Sequence, residues 1–293
     1  KETKYIFYGG AVRGGKTFFM CLDAVKTCLY AAGARCLLSR SQYSDFKITT
    51  YNTLLEILQL MQLRRDKDYT VNMSNKVITF ANGSQIVFPP LAFNPSDPEY
   101  TDIGGLELTR AYVDEAVQIT YKLFEILKSR VGSLKATNGI VSPKIFLASN
   151  PFKCWINEVF VRPYNNGTLS ADFAYIFANY KDNAKNLTSD YIDSLLSIED
   201  EVTRSRLVDG NWDYDDSNLK IFDYNSLNNM FGKVYIELIG AGKKYITIDV
   251  ARFGKDLTVI GIWQGDYLYY IETIKSNSIE ELYDKIEDRK EAN

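Results

Sequence analysis

The chain has 293 residues, 46% of them hydrophobic, with 34 Lys and Arg set against 37 Asp and Glu and no histidine. That length buries one large core or two smaller ones, and the near balance of charge excludes nucleic-acid affinity driven by net charge alone, so any such contact is local. Without imidazole there is no Ser/His/Asp catalysis and no His-ligated zinc, and carboxylates, lysine and arginine carry the chemistry.

The opening run Tyr5-Ile-Phe-Tyr reads as a strand, followed by glycines and then by residues 16–32, where Phe19, Leu22, Val25 and Leu29 recur at helical spacing up to Gly33. Cys36-Leu-Leu is a second short strand, and Asp45 is placed to cap a helix running through Leu54, Ile57, Leu58 and Met61. Residues 76–88 break this β/α alternation. Val77-Ile-Thr-Phe and Gln85-Ile-Val-Phe flank Asn82-Gly83, a two-residue hairpin signal, and predict an antiparallel insertion at the edge of a parallel sheet. Residues 89–100 hold four of the seven prolines and read as an irregular loop.

A strand is expected at Ala111-Tyr-Val, a helix at 121–130, strands at 144–149 and 173–177, and helices at 189–196 and 199–208. Residues 211–229, rich in Asp, Asn and Tyr, mark a domain boundary. Beyond it, 245–250, 258–263 and 267–273 are three β-like runs joined by tight turns, and a helical pattern begins at Ile279. Cys21, Cys28, Cys36 and Cys154 have neither zinc-type nor disulfide-type spacing and read as small buried residues. The most apolar long stretch, residues 18–38, contains Asp23, Lys26 and Arg35 and is too polar to span a bilayer; with no signal-peptide pattern at the start, a cytoplasmic protein is expected.

Gly10-Ala-Val-Arg-Gly14-Gly15-Lys16-Thr17 fits G-x-x-x-x-G-K-[ST] between a strand and a helix, as phosphate binding requires. Gly10, Gly14 and Gly15 let the backbone wrap an ATP phosphate chain, Lys16 reaches the β- and γ-phosphates, and Thr17 is a ligand for Mg2+. Arg13 has two readings, a solvated surface cation or a γ-phosphate contact. Asp114 and Glu115 close the apolar strand Ala111-Tyr-Val, where ligands meet a parallel α/β sheet. With the phosphate loop, Asp114 is expected in the Mg2+ shell and Glu115 as the base that orients and deprotonates water. Ser149-Asn150-Pro151 interrupts an apolar strand end, which suits either a γ-phosphate or water contact or an ordinary turn.

The Arg-bearing phosphate loop, Gly104-Gly-Leu-Glu-Leu-Thr-Arg-Ala-Tyr-Val-Asp-Glu-Ala, Ser149-Asn150-Pro151 and Leu207-Val-Asp-Gly-Asn-Trp212, in that order, resemble phage terminase large subunits. The resemblance implies an α/β fold, a P-loop additional-strand catalytic-glutamate ATPase with a parallel central sheet, followed by the start of an RNase H-like nuclease domain. It gives Ser149 and Asn150 a coupling role between hydrolysis and DNA movement. Arg40 and Arg130 are further candidates for sensing ATP, each also readable as structural. The implied partners are double-stranded DNA, a portal protein, a terminase small subunit and identical subunits in a ring on the portal, with no membrane. The implied location is the host cytoplasm, transiently at the procapsid portal.

These readings divide the chain into residues 1–210 as the ATPase domain, 211–243 as linker and 244–293 as the N-terminal part of the nuclease domain. Asp249 closes a β-run and, by resemblance, is the first ligand for the nuclease's Mg2+ or Mn2+; Asp256 and Glu272 are weaker matches. A two-metal site needs carboxylates from several strands, and the sequence stops about where the resemblance places a further one, so the chain reads as part of a longer protein in which cutting is completed. The alternatives are a helicase-like or other DNA translocase without nuclease activity, distinguished by whether the C-terminal domain cuts DNA, and a nucleotide-binding scaffold without turnover, distinguished by ATPase assay.

Overall fold

Short apolar runs without polar interruption become strands that are covered on both faces. The structure, a computed structural model, describes residues 3–134, 136, 141–214, 242–250, 257–275 and 283–287. The chain divides into two compact units, Lys1–Leu219 and Lys220–Asn293. The first contains strands β1 (Tyr5–Gly10), β2 (Arg35–Ser39), β3 (Tyr69–Asn72), β4 (Val77–Phe80), β5 (Gln85–Val87), β6 (Arg110–Asp114), β7 (Lys144–Ser149) and β8 (Phe173–Ala178). Its helices are α1 (Lys16–Tyr30), α2 (Tyr43–Ile48), α3 (Thr50–Leu60), α4 (Thr101–Gly104), α5 (Tyr121–Arg130), α6 (Arg162–Asn165), α7 (Ser189–Leu196) and α8 (Glu201–Leu207).

The strands form one sheet in the order β3-β4-β5-β2-β6-β7-β1-β8. From β5 to β8 the neighbours run parallel, whereas β3 and β4 are antiparallel additions at one edge, as the Asn82-Gly83 signal predicts. Strand β3, with only Tyr69 buried among its four residues, has no clear signature in the sequence. Alternate residues of the central strands face opposite ways. Ile6, Leu38, Tyr112 and Phe146 pack against Ala24 and Val25 of α1 and Leu54 and Ile57 of α3. On the other face Phe7, Leu37, Val113 and Leu147 meet Leu123 and Phe124 of α5, Phe160 and Trp212. Phe7 is fully buried, edge-on to Trp212 at 5.3 Å and stacked on Tyr175 at 5.6 Å; burying a ring of this size stabilises the fold by about 1.5–3 kcal/mol.

One reading of the sequence needs correction. The helix expected after Asp45 is two helices: α2 starts after Gln42, Asp45 lies within its first turn, and the chain breaks at Thr49 (φ −124°, ψ −83°) before α3. The cause is local, since Thr49 Oγ1 donates back to the Asp45 carbonyl at 2.6 Å, the side-chain bond with which threonine competes against helix continuation. After Pro151, where the sequence analysis places no element, the chain makes a π-helical turn, Asn157–Val161, running into α6. Trp212 and Tyr214 are buried, so the first core reaches past residue 211; residues 215–241 of the expected linker lie outside the described residues. All four cysteines are free, with Cys21, Cys28 and Cys36 buried and Cys154 partly so.

In the second unit β9 (Lys244–Asp249), β10 (Leu257–Gln264) and β11 (Tyr267–Lys275) form an antiparallel sheet in the order β11-β10-β9. Its apolar anchors are Ile260 and Ile262 of the central strand, and residues 283–287 are helical. Among the described residues, no helix is long and apolar enough to cross a membrane.

Candidate active site

The parallel pairing brings the C-terminal ends of β2, β6, β7 and β1 to one edge of the sheet. Gly9 lies beside Ser149, and Asp114 beside Ala148. The loop from Gly10 to Thr17 turns over this edge into α1. Gly10 has φ +129°, and a Cβ there would strike the Ala178 carbonyl of β8. Gly15, at φ +76°, has nothing within 4 Å of where a Cβ would be, so backbone N–H groups at the start of α1 are open to an anion. Tyr8 Oη donates to the Gly14 carbonyl at 3.0 Å and Val12 N to the Leu207 carbonyl at 2.8 Å, which fix the loop from both sides.

Lys16 is 8% exposed; its Nζ donates to the Ala11 carbonyl and, at 3.0 Å, to Asn150 Oδ1. Thr17 Oγ1 donates to the Asp114 carboxylate at 3.1 and 3.3 Å, and Thr50 Oγ1 donates to the same carboxylate at 2.6 Å. Glu115 stands one residue on, in the left-handed region at φ 50°. An Asp-Glu step that stayed extended would send the second carboxylate to the far side of the strand, but the left-handed turn changes that course. Glu115 Oε2 accepts from Ser149 Oγ at 3.2 Å.

Lys16, Thr17, Asp114, Glu115 and Asn150 line one cavity of about 490 Å³, together with Arg13, Arg40, Thr49, Thr53, Glu56 and Asn183. Burial pulls the Lys16 amine down to about 8, against the attraction of Glu115 and Asp114. Burial, then the neighbouring Asp114 charge, pushes the Glu115 carboxyl up from its ordinary value, while Arg40, the Ser149 hydrogen bond and Lys16 pull the other way. A carboxylate made more basic in this way suits proton abstraction at neutral pH.

The structure thus brings together Gly10, Gly14, Gly15, Lys16, Thr17, Asp114, Glu115, Ser149 and Asn150. Arg13 lines the same cavity, but its Nε donates to Tyr191 Oη of α7 at 3.2 Å and its guanidinium lies 5.0 Å from that ring centroid. Arg130 does not line this cavity; its carbonyl accepts from Leu108 N, ahead of β6 and at the opposite edge of the sheet. Asp249 is the last residue of β9 and faces solvent. Asp256 lies outside the described residues, and Glu272 is held by Lys285 Nζ at 2.9 Å. Among the described residues no three His, Cys, Asp or Glu side chains converge as a metal cluster. Sequence reading missed Thr49, Thr53, Glu56 and Asn183 of the cavity lining and Thr50, which holds Asp114; the one signal for the threonines at 49 and 50 is Ile48-Thr-Thr, a β-branched run inside a helical pattern.

A phosphate loop on β1, an acid pair on β6 and one strand, β7, inserted between them make the first unit an α/β P-loop protein of the additional-strand, catalytic-glutamate class. A comparison with curated proteins finds no match. The family model Terminase_3, phage terminase large subunit, matches residues 2–206, and the chain belongs to that family. A large terminase from a thermophilic bacteriophage (crystal form 2) superposes with TM-score 0.58 at 14% identity, over 99% of this chain and 69% of that one. The same phage enzyme in complex with ADP gives TM-score 0.58 at 15% identity over the same shares. The ATPase domain of the Thermus phage P74-26 large terminase gives 0.51 at 14% identity, over 71% of this chain and 88% of that one. At such identities the likeness is one of fold.

Proposed function

We propose that the first unit binds and hydrolyses ATP and that the protein is the motor subunit that drives double-stranded DNA into a procapsid. The observation that carries this is the convergence on one cavity of a phosphate loop, a threonine-aspartate pair and a glutamate of raised basicity. The Thr17 hydroxyl and Asp114 carboxylate are hard oxygen donors of the kind Mg2+ takes with one or two carboxylates and the nucleotide's own phosphates. They fit that ion, which when bound neutralises charge on the β- and γ-phosphates.

Lys16 holds the phosphate chain, and Glu115, oriented by Ser149, accepts a proton from the attacking water. The water oxygen bonds to the γ-phosphorus as the bond to the bridging oxygen breaks, and that electron pair leaves with ADP. Arg13 reaches the γ-phosphate only after leaving Tyr191. Asn150, bonded to Lys16, is placed to pass the loop's state to β7, in keeping with the coupling role of Ser149 and Asn150. The ADP complex of the thermophilic phage enzyme, which shares this fold, supports the nucleotide assignment.

In this reading the ATPase domain expected at 1–210 extends through the buried Trp212 and Tyr214, the remainder up to 243 is the linker, and 244–293 is the opening of an RNase H-like nuclease with Asp249 as a ligand for Mg2+ or Mn2+; the superposition over 99% of the chain supports it. One solvent-facing carboxylate does not make a two-metal site, so cutting requires further carboxylates to converge on Asp249. Portal protein, terminase small subunit and a ring of identical subunits follow from family membership, as does a place in the host cytoplasm and at the portal. ATP turnover with and without duplex DNA tests the proposal. Lys16→Ala is expected to abolish nucleotide affinity, and Glu115→Gln to keep it while losing roughly 10²–10⁴ in kcat; Asn150→Ala is expected to lower packaging more than affinity. Turnover by Glu115→Gln at the parental rate would remove the catalytic assignment.

A further inference from the structure

We propose that Arg40 is the cation that recognises the terminal phosphoryl group of the bound nucleotide and distinguishes a nucleoside triphosphate from a diphosphate. The inference deepens the ATPase reading and rests on it. Two arginines among the described residues line the cavity, Arg13 and Arg40. The guanidinium of Arg13 is occupied by Tyr191, through both a hydrogen bond and the ring face.

Arg40 stands at the level of the acid pair. The β2–β6 register ends with Ser39 beside Val113; the next residues along the chain are Arg40, just past the end of β2, and Asp114, the last of β6. The Leu91 N–H donates to the Arg40 carbonyl at 3.1 Å and fixes its backbone. Its Nη1 donates to Thr49 Oγ1 at 2.7 Å, which orients the planar fork. Its charge opposes the burial-driven rise at Glu115, so the guanidinium lies within electrostatic reach of the proposed base.

The Nε–H of Arg40 is buried and has no hydrogen-bond partner. Leaving a charged donor buried without an acceptor is costly, and such groups in native folds are met by a ligand, an ordered water or a strained functional site; Arg130 Nε is in the same state away from the cavity, so it is the position of Arg40 on the cavity wall that selects a ligand. The acceptor this cavity calls for is anionic, sits where the phosphate loop ends, and lies close to Glu115. A terminal phosphate oxygen of a nucleoside triphosphate meets all three conditions; a diphosphate does not extend that far. Charge gathers on those oxygens during transfer, so a preoriented guanidinium there stabilises the transition state as well as the bound triphosphate. Thr49 lies at the break between α2 and α3, next to Thr50 and its bond to Asp114. Engagement of Arg40 therefore bears on the helix junction that holds the proposed metal ligand.

The test is calorimetric titration of the 293-residue chain with ADP and with ATP-γ-S in the presence of Mg2+, alongside steady-state ATP hydrolysis, for the parent, Arg40→Ala and Arg40→Gln. ATP-γ-S affinity is expected to fall about ten- to hundredfold, the worth of a charge-assisted hydrogen bond, with ADP affinity held within about twofold. The turnover rate is expected to fall roughly a hundredfold or more, and Arg40→Lys, which keeps the charge without the fork, to recover only part of it. Should Arg40→Ala fail to give a cooperative thermal transition, Arg40→Gln and Thr49→Val carry the test. Thr49→Val is expected to slow turnover and leave ADP affinity intact. Equal loss of both nucleotides, or loss of neither, in variants of a parent that binds both overturns the role of Arg40 and leaves the ATPase reading standing. A parent that binds neither nucleotide overturns that reading and the role of Arg40 with it.

Discussion

A buried amine such as Lys16 behaves unlike a surface lysine, because burial lowers its pKa to about 8 in the free protein. Phosphate oxygens favour the charged form, so nucleotide binding must raise that pKa and take up a proton wherever the free amine is neutral. The sign follows directly: below about pH 8 affinity is flat, and above it affinity falls as pH rises, by at most about tenfold per unit. Titration calorimetry with ADP from pH 7 to 10 is expected to show this fall, with proton uptake in the alkaline range. Lys16→Arg, whose guanidinium stays charged, is expected to flatten the profile; an alkaline fall of equal size in that variant would move the effect to another group. At this scale the sequence was most legible where chemistry is local. Lys16, Thr17, Asp114 and Glu115 were readable because a loop pattern and a strand end each place their own side chains. Two long-range contacts of the site were not, since Arg13 meets Tyr191 178 positions away and Thr50 meets Asp114 64 positions away, separations that only tertiary packing closes.

Elements were legible where one period ran unbroken. The expected spans of β7, α5 and α7 coincide with Lys144–Ser149, Tyr121–Arg130 and Ser189–Leu196, because each is an apolar run or an amphipathic turn sequence with a clear start; α5 and α7 begin at Thr120 and Thr188, whose side chains accept from Leu123 N and Tyr191 N. The helix after β2 failed that test. Its apolar positions continue, but Thr49 bonds backwards and splits it, and the split delivers Thr50 to Asp114 at the edge of the proposed active site. Partners that orient a metal ligand are commonly worth 10–100-fold in metal affinity. Thr50→Val, which keeps the shape and removes the hydroxyl, is therefore expected to raise the Mg2+ concentration for half-maximal ATP hydrolysis by about tenfold. Unchanged Mg2+ dependence would mean that Thr17 alone orients Asp114.

At the scale of the whole molecule the two units differ in what a nucleotide can stabilise. Every residue of the proposed ATP cavity belongs to Lys1–Leu219. The core that supports the cavity, from Phe7 to Trp212, likewise belongs to that unit. The unit Lys220–Asn293 has its own apolar strand centre at Ile260 and Ile262. A ligand stabilises only the cooperative unit that folds around it, by about 2.7 kcal/mol at a hundred times its Kd. For a unit of this size each kcal/mol moves the midpoint roughly 2–4 °C. Calorimetric melting in saturating ADP is therefore expected to raise the transition of the first unit by about 5–10 °C and to leave that of the second where it was. Lys16→Ala should abolish the shift, while Asp249→Ala, outside the cavity, should leave it whole. If ADP moved both transitions by the same amount, the two units would unfold as one, and the second would have to be counted as part of the nucleotide-binding core.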